Sequence, residues 1–323
     1  MKTLSMDSSI YGTGSIFALE RKFNELFEGK MYSLTVCNAT MGIMAGLIAA
    51  GIKKNDPVIV TPYSWGGTIA AAMFLDCHLI FADIHPSNLT IYPESVEEIL
   101  SNVKGVKAII DADTYGNPAW SETIKQEAEK HNVIYIQDCA SSLGARINGH
   151  QSGYYSDLCV FSFGEMKSLN AGEGGIICTP HEDLYKKLIH QFQHPERARR
   201  DLPGKQENQF GLNLRMNPLA ARKILAKWDE TFKKIESRRQ KAELIIDELL
   251  EWSPCPEHLE PSFHRLVFIY DERSSNLRFK TSPVPYGSLL FEDPVFRNNY
   301  RNWQSFCTPI TSAYISKLVN IIL

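Results

Sequence analysis

The feature that most constrains this chain is the alternation, between residues 32 and 138, of short apolar runs with segments of helical spacing. The runs YSLTVC (32–37), PVIV (57–60), HLIFA (78–82), KAIIDAD (107–113) and VIYIQD (133–138) are too short for helices and too uniformly apolar for strands with a wet face. Helical patterns at 41–51, around 67–75, near 94–103 and at 121–131 lie between them, and an amphipathic helix at 16–28 precedes them. Parallel strands need crossover connections, and helices supply them on both faces of the sheet. The predicted fold is therefore α/β, a large domain with a mostly parallel sheet sandwiched by helices.

Beyond residue 138 the pattern changes. LCVFSF and GGIICT, within 158–179, read as two strands flanking the polar loop GEMKSLNAGEGG. A long helix is predicted from Pro218 to about 252, with the proline tolerated in its first turn. It carries the chain out of a large domain, 1–222, into a reduced C-terminal α+β domain, 223–323. That second domain reads as a strand HRLVFIYDE (264–272), a proline-rich PVPYG without a clear helix, and a final helix SAYISKLVNIIL (312–323).

Composition removes several function classes. A net charge of −3 and a pI near 6.3 give no electrostatic basis for a nucleic-acid partner. The seven cysteines are scattered without a C-x-x-C pair, which argues against a disulfide framework or a metal site and fits a reducing compartment. The opening MKTLSMDSSIYG lacks an apolar signal core, and no apolar run approaches the ~18 residues of a membrane span, so a cytoplasmic protein is expected.

Three segments carry chemistry. Cys37 to Gly42 joins a strand to a helix whose N-terminal amides suit a phosphate, although Asn38 or Thr40 would serve equally as a helix cap. Asp138 ends an apolar strand, where open α/β sheets place ligand-binding groups and where a carboxylate can hold a protonated ring nitrogen; it would also suit a turn cap. Lys167 lies in the loop between two buried strands. Partial desolvation there lowers an amine's pKa and makes it a nucleophile, whereas a lone loop lysine is ordinarily a surface charge.

In this order the segments resemble the DegT/StrS-type aminotransferases, a branch of the fold type I pyridoxal-phosphate enzymes that makes amino sugars. The likeness runs over about residues 10–225 through 36–52, TPYSWGGT (61–68), DIHPSNLTI (83–91), TYGNPA (114–119), QDCASSLGA (137–145), FSFGEMKSLNAGEGG (161–175) and GLNLRMNPLAA (211–221). The resemblance implies pyridoxal 5'-phosphate held by Lys167 as a Schiff base, with Lys167 then moving the substrate proton. It implies Asp138 on the ring nitrogen, Trp65 stacked on the ring, and Thr40, the Met41 backbone and Ser162 on the phosphate. Asn213 would reach the phosphate from the neighbouring subunit of a homodimer. The bland alternatives are a core tryptophan for Trp65 and a turn residue for Asn213.

Two departures stand out. Ser141 sits where the family usually has Gln or His near the ring hydroxyl, so a direct bond there would be lost or carried by water. The family's usual N-terminal stretch and small domain are also shortened, which leaves the substrate side unread. The implied activity is transfer of an amino group from an amino acid, glutamate first, to a keto sugar, nucleotide-linked keto sugar or cyclitol. Other pyridoxal-phosphate chemistry on a small metabolite, or a non-catalytic paralogue, are the alternatives. The implied partners are a small keto substrate and an amino donor.

Overall fold

The computed structural model describes residues 6–204, 209–248, 259–269, 281–307, 311 and 315–321. Helix α1 (Ser15–Leu26) leads into β1 (Tyr32–Val36), α2 (Ala39–Ala49), β2 (Pro57–Val60), α3 (Gly67–Phe74), β3 (His78–Phe81), α4 (Pro93–Asn102), β4 (Ala108–Ala112), α5 (Ser121–Lys130) and β5 (Ile134–Asp138). A small hairpin, β6 (Arg146–Ile147) and β7 (His150–Gln151), precedes β8 (Leu158–Ser162) and β9 (Gly175–Thr179). Helices α6 (Glu182–Phe192), α7 (Pro195–Asp201) and α8 (Pro218–Glu248) follow, α8 with 31 residues.

Eight strands form one sheet in the order β1-β9-β8-β5-β4-β2-β3 and then β13 (Trp303–Ser305). The pairings from β8 to β13 are parallel, while β9 runs antiparallel to both β1 and β8. The α/β fold expected from the apolar runs is what forms. Every residue of β4 is buried, because helices cover both faces and no face of the strand meets water. Register sets Ala112 beside Asp138 and Asp138 beside Val160, so the C-terminal ends of β4, β5 and β8 finish together at one edge of the sheet.

Apolar packing holds the covering helices on. Phe23 of α1 meets Phe161, Phe163 and Trp228 edge-on at 5.3, 5.8 and 5.4 Å, joining α1, β8 and α8 in one core. On the other face α2 packs against β8 and β9 through Ile43, Leu47, Val160 and Ile177.

The C-terminal region contains β10 (Leu259–Glu260), β11 (Leu266–Ile269), β12 (Thr281–Pro283), α9 (Pro294–Asn299), β13 and β14 (Leu318–Ile321). Two expectations are corrected here. The final apolar run is helical only at the start of its described part, at Ile315; Leu318–Ile321 is instead the central strand of a sheet ordered β11-β14-β12. A short apolar run fits helix or strand equally, and the flanking strands decide, with buried Asn320 hydrogen-bonding Ser282 across the sheet at 3.0 Å. The stretch after PVPYG also does contain a helix, α9, started by Pro294 and capped by Asp293. The beginning of the long helix agrees with expectation, while its last expected turn and residues 270–272 of the strand 264–272 lie outside the described residues.

Gly175, at the start of β9, lies so close to the start of α2 that a Cβ there would sit 2.7 Å from the Asn38 carbonyl carbon and 2.8 Å from the Ala39 nitrogen. Both neighbours are backbone and cannot swing aside. Gly175→Ala is therefore expected to destabilise the chain by about 1–3 kcal/mol, checked by urea unfolding with an unchanged m-value.

Candidate active site

A cleft of about 590 Å³ opens at the edge where β4, β5 and β8 end, and it is lined by Thr40, Trp65, Asp138, Ser141, Ser162 and Lys167. Six of the eight candidate residues thus come together. Met41 and Asn213 do not line the cleft. The Met41 N–H donates to Asn38 Oδ1 at 2.9 Å, and Asn213 is exposed with its side chain on the Gly211 carbonyl at 3.1 Å.

Asp138 is buried at the end of β5. Its Oδ1 accepts the Ala140 N–H at 3.0 Å, so it does cap its own turn, and its Oδ2 accepts the Thr68 hydroxyl at 2.7 Å. The turn is fastened from beneath by Asp113, just past β4. The Asp113 N–H donates to the Asp138 carbonyl at 3.1 Å, its Oδ1 accepts the Gln137 amide at 2.7 Å, and its Oδ2 accepts the hydroxyls of Ser142 and Ser152. Burial pushes the Asp113 carboxyl up to about 6, against the pull of the side-chain hydrogen bonds it accepts, led by that of Gln137.

Lys167 sits in the loop that leaves β8 and returns to β9. The base of that loop is closed by Phe163 N–H to Gly174 O and Ala171 N–H to Phe163 O, both 2.9 Å. The Lys167 Nζ is partly buried and donates to Ser141 Oγ at 3.3 Å. Burial pulls its pKa down; the Asp138 charge opposes this, and the Arg265 guanidinium reinforces it. The result is a lysine with a larger fraction of free amine than a solvated one.

At the other end of the cleft, Asn38 supplies the cap of α2, which leaves Thr40 turned to the cleft beside the first amides of the helix. Gly67 permits this, since a Cβ there would lie 2.8 Å from Thr40 Oγ1. Trp65 is 69% exposed at the rim, so it is not a core tryptophan.

Several lining residues carried no signal of their own in the sequence. Thr68 and Tyr115 lie inside TPYSWGGT and TYGNPA, where only the whole blocks were informative. Tyr115 is a buried residue at φ 57°, in left-handed backbone that non-glycine residues seldom adopt, and its hydroxyl lies 2.7 Å from that of buried Tyr63. His264, Arg265 and Tyr286 form a wall supplied by the C-terminal region. Burial pulls His264 down to about 3, helped by the charges of Lys167, Arg238 and Arg265, so its imidazole is neutral.

The geometry can be compared with known proteins. The sequence model of the DegT/DnrJ/EryC1/StrS aminotransferase family matches residues 4–281. The chain belongs to that family. Among curated relatives, it is 28% identical over 225 residues to GDP-perosamine synthase of Escherichia coli O157:H7, covering 70% of this chain and 60% of that one. It is 32% identical over 170 residues to a putative L-glutamine:3-amino-2,3-dideoxy-scyllo-inosose aminotransferase of Streptomyces kanamyceticus, covering 52% of this chain and 40% of that one. The matched stretches therefore span less than two thirds of these relatives. Among solved structures, a GDP-4-keto-6-deoxymannose-3-dehydratase with a trapped PLP-glutamate geminal diamine superposes with a TM-score of 0.79 at 23% identity, covering 98% of this chain and 88% of that one. That likeness concerns the fold. Among the described residues of this family member, no group of three or more His, Cys, Asp or Glu could hold a metal ion, and no helix is long and apolar enough to cross a membrane.

Asp113 gives a pH signature. Its value rises from an ordinary 3.8 to about 6 in the folded chain, so the folded state holds this proton more tightly than the unfolded one. The stability it contributes is complete below about pH 4 and is lost as pH rises through 6, by up to about 3 kcal/mol. Unfolding followed from pH 4 to 7 should show wild type losing stability relative to Asp113→Asn, and a difference flat in pH would contradict the assignment.

Proposed function

We propose that the chain is a pyridoxal-phosphate-dependent aminotransferase that moves an amino group from an amino acid, glutamate first, to a keto sugar, nucleotide-linked keto sugar or cyclitol. The observation that carries this reading is Lys167 with its lowered pKa, in one cleft with Asp138 and the open start of α2. These residues fit the cofactor's chemistry end to end: helix amides and two hydroxyls for a phosphate, a buried carboxylate for a ring nitrogen, and an amine for an aldehyde. Thr40, Ser162 and the first amides of α2, at Ala39 and Thr40, would hold the phosphate, whereas the Met41 N–H expected there is taken by Asn38. Asp138, oriented by Thr68, would keep a proton on the ring nitrogen, Trp65 would cover a ring face, and Ser141 would lie toward the ring hydroxyl. When bound, the cofactor supplies an electron sink for the pair released from the donor's Cα–H bond. Lys167 Nζ would hold the cofactor covalently and, once released, take that proton from Cα and deliver it to the cofactor carbon that carries the amino nitrogen.

We further propose a homodimer with shared sites, in a cytoplasmic, reducing setting. Phe210, Leu212 and Leu219, exposed and near exposed Asn213 in sequence, would be covered by a second copy whose Asn213 reaches the phosphate end. Residues 1–222 would form the cofactor-binding domain and 223–323 the smaller one.

The test is spectroscopic. Purified chain with pyridoxal phosphate should show a lysine-bound absorbance that borohydride fixes on Lys167, and L-glutamate should convert the bound cofactor to its amine form. Lys167→Ala should lose both, with rates down by at least about 10⁴-fold. Failure of every amino donor to convert the cofactor would rule out transamination. Mixing Lys167→Ala with Asn213→Ala should restore part of the activity that neither has alone, whereas independent sites would give no recovery.

A further inference from the structure

Among the arginines that are not exposed, the described guanidinium groups have partners, with one exception. Arg197 is bound by Glu20 and Asp201, Arg239 by Glu236 and two carbonyls, Arg238 by the Ser262 carbonyl and Ser168, Arg200 by Asp201, and Arg215 by Ser9. Arg265 is half-buried in the cleft wall, and its guanidinium has no hydrogen bond and no carboxylate within 4.0 Å among the described residues. The acids that share the cleft are otherwise placed: Asp113 and Asp138 are bound as described, and Glu165 and Glu173 are exposed.

The position of Arg265 is set by its backbone. Its N–H donates to the Tyr115 carbonyl at 3.3 Å, and three residues earlier the Ser262 N–H donates to the Gly116 carbonyl at 3.0 Å. The segment 262–265 is thereby stitched to the turn beyond β4. A cation partly withdrawn from water and left without a counter-charge is costly unless something that enters the cleft supplies one. The consequence for its neighbours is visible, since the Arg265 charge helps pull both Lys167 and His264 down.

We infer that Arg265 is a substrate-binding residue whose planar fork takes an oxyanion carried by the incoming substrate, with Tyr286 beside it on the wall. This rests on the aminotransferase reading and extends it to the substrate half of the site. A carboxylate of the amino donor and a phosphate of a nucleotide-linked acceptor share the needed chemistry, two oxygens that accept paired N–H donors. Either would also neutralise the positive charge beside the Lys167 amine.

The experiment is calorimetric titration of wild type, Arg265→Gln and Arg265→Lys, each with and without pyridoxal phosphate, using glutarate and, separately, a nucleoside diphosphate. Cofactor absorbance is recorded first. A wild type that fails to take the cofactor sinks the aminotransferase reading, while the cofactor-free titrations still test Arg265. Wild type is expected to bind one of the probes, Arg265→Gln to bind it about tenfold or more weakly at unchanged cofactor content, and Arg265→Lys to fall between. Loss of glutarate assigns the anion to a carboxylate, and loss of the nucleoside diphosphate assigns it to a phosphate. Equal affinities in wild type and Arg265→Gln, or no binding of either probe to wild type, would overturn the proposal.

Discussion

The buried carboxylate of Asp113 is the fastening on which the cleft depends. It lies just past β4, yet its bonds go to Gln137 of β5, Ser142 in the turn after it and Ser152 just past the hairpin. Parallel register alone brings Ala112 level with Asp138. It does not decide where the chain goes after Asp138. The Asp113 bonds hold the 139–142 turn against the sheet, so the Asp138 carboxylate faces Thr68 and the cleft. A buried network of this kind orders its surroundings only while each member is satisfied, which makes the loss of any one hydroxyl felt at Asp138.

Such a fastening was not legible in the sequence, although the sheet was. Strands β1 to β5 are short, apolar and covered on both faces, so their runs announce themselves, and the residues that end them fall at the functional edge by the general rule for open sheets. Asp138 was visible for that reason, and Lys167 because it lies in a loop between two buried strands. Asp113 was hidden because a carboxylate inside KAIIDAD reads as the polar end of a strand, and its partners come from three segments. The C-terminal elements were hidden differently. Leu318–Ile321 becomes a strand through pairing with Leu266–Ile269 and Thr281–Pro283, and no local pattern records those partners.

The charges around Lys167 account for its state. Asp138 favours the ammonium, and burial together with Arg265 disfavours it, with the net shift downward. His264 adds nothing to this balance at neutral pH, because burial among the same cations keeps it uncharged. Without Arg265 the downward pull on Lys167 would come from burial alone. The wall from the C-terminal region therefore acts on the chemistry before any substrate arrives.

Ser141 ties these parts together. Its hydroxyl accepts a hydrogen bond from Lys167 Nζ at 3.3 Å, and its carbonyl accepts one from the Ser262 hydroxyl at 3.0 Å. Ser262 in turn is three residues from Arg265 and bonded to Gly116. One short residue after Asp138 thus touches the lysine loop with its side chain and the C-terminal wall with its backbone. The serine that departs from the family pattern is thereby consistent with a lysine held close to the β5 turn and a wall set by residues 262–265.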